Sequence, residues 1–291
     1  MFGKRRVERR EESAGLGCSG IRGPRGFTIV EMIVVIVIMG IIGALLSRLI
    51  AKPIQGYLDS SRRAALVAAA DTALNRMTRE IRLALPNSVR VNGGNAIELL
   101  RVRAGGRYRA EGPPGDILDF TLATDSFDVL GAFDWGEVGI GGPPACSGAG
   151  GTGGCLVIYN TGQAGADAYQ GDNIAAITAS SPPSIGFSRA SRFPFTSSSQ
   201  RFYVIDGPVS FVCDPVAGVV RRYAGYAISA AQAVPPSGGG VALLVDKVTG
   251  CAFSYAAGTA TRGGLATLQI TLTDSGESVA LMQQIHVNNV P

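Results

Sequence analysis

Glu31 is a lone carboxylate in the stretch "RGFTIVEMIVVIVIMGIIGALLS", the fifth residue of an apolar run that begins at Phe27. Its chemistry is charge pairing: a carboxylate at bilayer depth costs a few kcal/mol or more unless a cation meets it. The rest of the chain offers little for catalysis. His286 is the only histidine, lies on the last candidate strand, and has no G-x-S-x-G elbow to serve. Asp274-Ser275-Gly276 has the composition of an aspartic-protease triplet, but such a dyad needs two carboxylates and this triplet sits where a hairpin must turn. Asp116, Asp119, Asp125, Asp128, Asp134 and Glu137 cluster with Phe120, Phe127, Phe133 and Trp135 and supply hard oxygen ligands. They lack EF-hand spacing and read as ordinary exposed acids. Arg101, Arg103, Arg107 and Arg109 alternate across a glycine pair, a pattern of a subunit contact or solvated face more than of a nucleic-acid site, because aromatics are not interleaved. No enzyme activity, metal or cofactor is expected from these residues.

The elements that position Glu31 follow from charge and hydropathy. Phe27 to Ser47 is 21 residues with Glu31 as its only charge, roughly 32 Å as a helix against a hydrocarbon core of about 30 Å. It is long enough to span a bilayer once. Seven Lys and Arg precede it, and the four that follow closely are Arg48, Lys52, Arg62 and Arg63. This bias places the N-terminus in the cytoplasm and the bulk of the chain across the membrane. The basic leader, with its three Glu, carries the whole net charge of +4, leaving 19 of each sign from Phe27 onward. A neutral remainder argues against nucleic acid as a partner.

An ordinary secretory signal has a shorter apolar region followed by a small-residue cleavage site. Here the small residue comes first: Gly26 ends the basic segment and Phe27 opens the apolar run. "GFTIVE" at this junction resembles the type IV prepilin and pseudopilin signature. The resemblance implies that prepilin peptidase cuts after Gly26, that Phe27 is the N-methylated first mature residue, and that Glu31 offsets the terminal amine of a neighbouring subunit in a core of packed helices. It implies partnership with other pilin or pseudopilin subunits and with an inner-membrane assembly platform. Major pilins usually carry a helix-breaking proline within the apolar run, and none occurs between Phe27 and Lys52. That departure fits a minor or pseudopilin-like subunit better. Calcium, which some pseudopilins bind through loop carboxylates, is the one cofactor the resemblance adds for consideration.

Beyond Ser47 the pattern changes to one apolar stripe, Leu66, Ala70, Leu74, Met77, Ile81 and Leu85, with Arg62, Arg63, Arg76, Arg79, Glu80 and Arg82 mostly away from it. This half is expected to pack on a sheet. Pro53 and Gly56 are expected to kink or loosen the helix between its halves, and Pro86 to end it. From Asn87 the chain reads as short strands. "SVRVNGGNAIELLRVRAGGRYRAEG" gives three candidates joined at Asn92-Gly93-Gly94 and at Gly105-Gly106. Leu268, Ile270 and Leu272, then Val279, Leu281, Ile285 and Val287 around Asp274-Ser275-Gly276, form a terminal hairpin with one buried face. The expected class is α+β, a pilin-like long helix on an antiparallel sheet domain. Its segments are 1–26, a leader that is removed; 27–51, the membrane and filament-core helix; 52–85, an amphipathic helix; and 86–291, an exported β-rich domain.

Of the five cysteines, Cys146, Cys155, Cys213 and Cys251 follow the apolar run. An even number on the exported side suits two disulfides. Three pairings are open, and Cys146 with Cys155 plus Cys213 with Cys251 is favoured because each closes a local unit, stabilising by about 3 and about 4 kcal/mol in the loop-entropy picture.

"REIRLALPNSVRV", "LVIYNTGQAGADAYQGDNIAAI" and "HVNNVP" resemble the O-type minor prepilins of the mannose-sensitive haemagglutinin (MSHA) pilus system. This implies a minor pilin held in the bacterial inner membrane, N-terminus cytoplasmic and C-terminal domain periplasmic, and then assembled into a pilus. Two other readings stand beside it. One is a minor pseudopilin of a type II secretion system, where Glu31 argues against the outermost tip subunit. The other is a membrane-anchored adhesion module for sugar or DNA, supported weakly by Trp135 and the Arg101 to Arg109 segment.

Overall fold

The computed structural model describes residues 26–138, 154–189, 191–258 and 262–291, with the side chains of 48–53 left aside. The chain is α+β. Helix α1 (Ile29–Arg82) is its long helix, and the chain divides into two compact units at Gly56/Tyr57.

In the first unit, Ile29–Ser47 is long and apolar enough to cross a membrane, with mean hydropathy 2.9 and none of that window buried. β-branched Val and Ile dominate it. Isolated in water such a stretch is a middling helix former; in lipid, where every backbone group must be satisfied within the segment, a helix is the available answer.

The second unit begins with the remainder of α1. Leu66, Ala70, Ala73, Leu74, Met77 and Ile81 form its buried stripe, each 4% exposed or less. Twelve strands follow among the described residues: β1 (Arg90–Asn92), β2 (Ala96–Tyr108), β3 (Ser126–Leu130), β4 (Cys155–Ile158), β5 (Ile174–Ser181), β6 (Ser184–Ser188), β7 (Arg201–Asp214), β8 (Val219–Ala224), β9 (Gly240–Asp246), β10 (Val248–Ala256), β11 (Gly264–Asp274) and β12 (Glu277–Val287). They form a nine-stranded sheet in the order β1-β2-β3-β6-β5-β4-β7-β8-β9, and a three-stranded sheet β10-β11-β12. All pairings are antiparallel. Because β2 also pairs with β7, the strands β2-β3-β6-β5-β4-β7 close on themselves as a six-stranded barrel.

Two main cores result. The helical stripe packs with Ile97, Leu99, Val209, Phe211, Val220 and the inner faces of β10, β11 and β12. The barrel is filled by Tyr108, Phe127, Phe187, Phe202 and aliphatics of β3 to β7. Phe127 meets Phe202 edge-on at 5.2 Å between centroids, a favoured aromatic geometry. A disulfide between Cys213 of β7 and Cys251 of β10 staples the two sheets, with Cα atoms 6.5 Å apart.

Two local expectations are corrected. The helix ends at Arg82: Ala84 bridges to Arg101 and the Leu85 N–H donates to the Leu100 carbonyl. Leu85 is therefore buried by sheet pairing, not by helical periodicity. Gly105-Gly106 is no turn but lies inside the single strand β2. A Cβ on Gly106 would fall 2.7 Å from the Phe202 ring, and one on Gly105 3.4 Å from Tyr203; glycine here lets two strands approach across an aromatic. The backbone at Pro53 and Gly56 is helical. The terminal hairpin forms as read, with Ser275 (φ 51°) and Gly276 (φ 88°) as the turn between paired Asp274 and Glu277.

Candidate functional site

The helix that carries Glu31 begins with a built cap. The Glu31 N–H donates to the Thr28 Oγ1 at 3.2 Å, and the Met32 N–H to the Thr28 carbonyl at 3.2 Å. Thr28-x-x-Glu31 is a capping-box spacing, which satisfies an orphan helical donor and places an acid in the first turn, where the helix dipole favours negative charge. Sequence reading passed over Thr28; the T-x-x-E spacing was the available signal. Capping stabilises by about 1 kcal/mol, against several for an unpaired carboxylate in lipid, so the cap does not account for Glu31. Among the described residues no Lys or Arg side chain pairs with Glu31. Gly26 and Phe27 lie exposed and non-helical just before the cap, Phe27 76% exposed, with open space around the Gly26 Cα.

The other candidates resolve into structural tasks. Arg101 pairs with Asp206, Arg103 with Glu137 at 2.8 Å, Arg107 with Gln200 at 3.4 Å and Arg109 with Asp128 at 3.7 Å. All four are engaged within the chain along and just beyond β2. Asp119 accepts from Thr121 and Leu122, Asp134 caps a short 3-10 turn at Trp135–Glu137, and Asp116 accepts from Ser126. Among the described residues no three His, Cys, Asp or Glu side chains are grouped to hold a metal ion. His286 is exposed on β12. Cys155 is fully buried at the start of β4; its expected partner Cys146 lies outside the described residues.

One buried constellation escaped sequence reading. Glu98, 2% exposed, accepts from the Arg90 guanidinium at 3.0 Å, directly opposite it in the β1–β2 ladder. Arg90 stacks on the Tyr169 ring at 3.6 Å and donates to the Ser229 and Ala230 carbonyls. Burial pushes the Glu98 carboxyl above its ordinary value, outweighing Arg90, which pulls it down. Burial also raises the phenols of Tyr169 and Tyr226. These groups are locked, not poised for proton transfer: Tyr226 is held by Ser210 at 2.6 Å and Tyr169 donates to the Ser88 carbonyl. The cluster clamps the segment after β8 onto β1. Facing Arg and Glu across Asn92-Gly93-Gly94 was the signal.

No curated protein and no solved structure matches the chain. Residues 21–47 match the family described as the prokaryotic N-terminal methylation motif. That motif spans Gly26, Phe27 and Glu31, is the one carried by type IV prepilins and pseudopilins, and supports a pilin-like structural subunit.

Proposed function

We propose that this chain is a minor subunit of a type IV filament, of the MSHA pilus type. It is cut by prepilin peptidase after Gly26, N-methylated at Phe27, and assembled through its N-terminal helix. The observation that carries this is Glu31: a capped, apolar helix presents one acid that no cation pairs with among the described residues. Pairing with the terminal amine of the next subunit removes the penalty only in the assembled state. The leader then spans 1–26 and the filament-core helix 27–51. The amphipathic segment and the β-rich domain lie on the periplasmic side, where an oxidising compartment suits the Cys213–Cys251 bond and a second one between Cys146 and Cys155. Partners on this reading are sibling subunits and the inner-membrane assembly platform.

Mass spectrometry of the terminal peptide of membrane-extracted protein tests processing, and a chain beginning at N-methyl-Phe27 is the expected result. An uncut Met1 overturns the reading. Glu31→Leu should leave export and folding intact and abolish incorporation into sheared filaments; normal incorporation would remove the pairing argument.

A further inference from the structure

The exposed strand edges of the second unit are not treated alike. β1 is three residues long and covered by the segment that Arg90 holds through the Ser229 and Ala230 carbonyls. β10 donates from Val248 to the Gly218 carbonyl and from Phe253 to the Gly94 carbonyl. β9 pairs with β8 through an irregular register at Val220/Arg221 and ends in Asp246. Among the described residues, β12 has none of these devices. Its eleven residues pair with β11 without a bulge, and from Ser278 to Val287 it contains no proline, Lys, Arg, Asp or Glu. By the alternation of an antiparallel ladder, every second residue turns its N–H and C=O to the open side. An unblunted edge is a template for another strand.

Beside that edge lies a cleft of about 520 Å³, lined by Gln283 of β12 and by Thr72, Asn75, Thr78, Arg79 and Arg82 of α1. Arg79 and Arg82 are exposed and have no ion-pair or hydrogen-bond partner among the described residues, unlike Arg76 and Arg222, which share Glu80. Thr78 is 4% exposed and its hydroxyl is buried without a partner. A strand-pairing edge, two uncommitted cations and an unsatisfied hydroxyl therefore meet in one groove.

We propose that β12 and the Arg79–Arg82 side of α1 form a docking groove for an extended, acidic segment of a neighbouring subunit, added as a fourth strand to β10-β11-β12. Backbone bonds to β12 supply affinity, and carboxylates on alternate residues of the incoming strand reach the two guanidinium groups. That the partner is a subunit rests on the filament reading; the chemistry of the groove does not.

The probe is an end-capped nonapeptide alternating Glu and Val, added to the full chain in detergent micelles, with the Lys/Val counterpart as control. The acidic peptide should bind and slow hydrogen exchange at alternate β12 amides. R79E/R82E, with unchanged circular dichroism, should weaken it by at least about tenfold and admit the Lys/Val peptide. Equal binding of both peptides, or no protection along β12, overturns the groove. A chain that begins at N-methyl-Phe27 but ignores the acidic peptide loses the groove and keeps the filament reading; an unprocessed chain that binds it does the reverse.

Discussion

Helix α1 holds two regions that treat their apolar residues in opposite ways. Between Ile29 and Ser47 the large side chains stand exposed, Ile29 at 81% and Ile36 at 64%. Between Leu66 and Ile81 the apolar stripe is sealed under two sheets. The first region has a lipid-length run with none of it buried among the described residues; the second has its apolar stripe packed into the core of its own unit. A helix of uniform hydropathy would teach nothing about where partners lie. This one sets an exposed apolar surface apart from a packed one.

The disulfide gives the largest test of that separation. Cys213→Ser with Cys251→Ser opens a loop of separation 38 and should destabilise the second unit by about 4 kcal/mol, measured as a lower urea midpoint by the fluorescence of Trp135. The helicity of the first unit in detergent should stay unchanged. Next, Met77→Ala should cost about 3 kcal/mol through lost burial and a residual cavity, whereas Ile36→Ala should leave the same urea midpoint in place. Equal effects of the two would erase the contrast. Thr28→Ala should cost about 1 kcal/mol of local helix stability, visible as faster amide exchange at Glu31 and Met32, with no change in the second unit. The smallest effect is a pH slope. A carboxyl whose folded value is raised stabilises the fold when protonated, and that contribution fades as pH climbs from the ordinary value near 4.5 through the raised one. Glu98→Gln should flatten that part of the melting-temperature profile; an identical slope would mean Glu98 is not the group responsible.

Features with a local signature were legible in the sequence. The amphipathic stripe and the terminal hairpin around Ser275-Gly276 follow from periodicity and turn chemistry alone. Residues whose reason lies far along the chain were not. Gly105 and Gly106 have turn composition, yet they serve Phe202 and Tyr203, residues that only strand pairing brings near. Leu85 continues a helical spacing, yet Leu100 captures its N–H. At the N-terminus the acid and the glycine were evident because their oddity is compositional, while Thr28 passed as one more residue of the run. The Arg101 to Arg109 series looked like a surface charge pattern because its acceptors, Asp206, Glu137, Gln200 and Asp128, are distant in sequence or on another strand.

The closure of the barrel through β2 and β7 has a consequence in time. Its ladder runs from Arg107↔Arg201 to Ala96↔Val212, so β2 must wait through the emergence of four intervening strands before its principal partner exists. Folding dominated by such distant pairings is slow, since loop closure is opposed by entropy before any contact repays it. During that interval the Val and Ile of β2 and β4 stand as open edges. A domain with this topology is therefore open to strand mispairing until β7 has been made and has paired with β2.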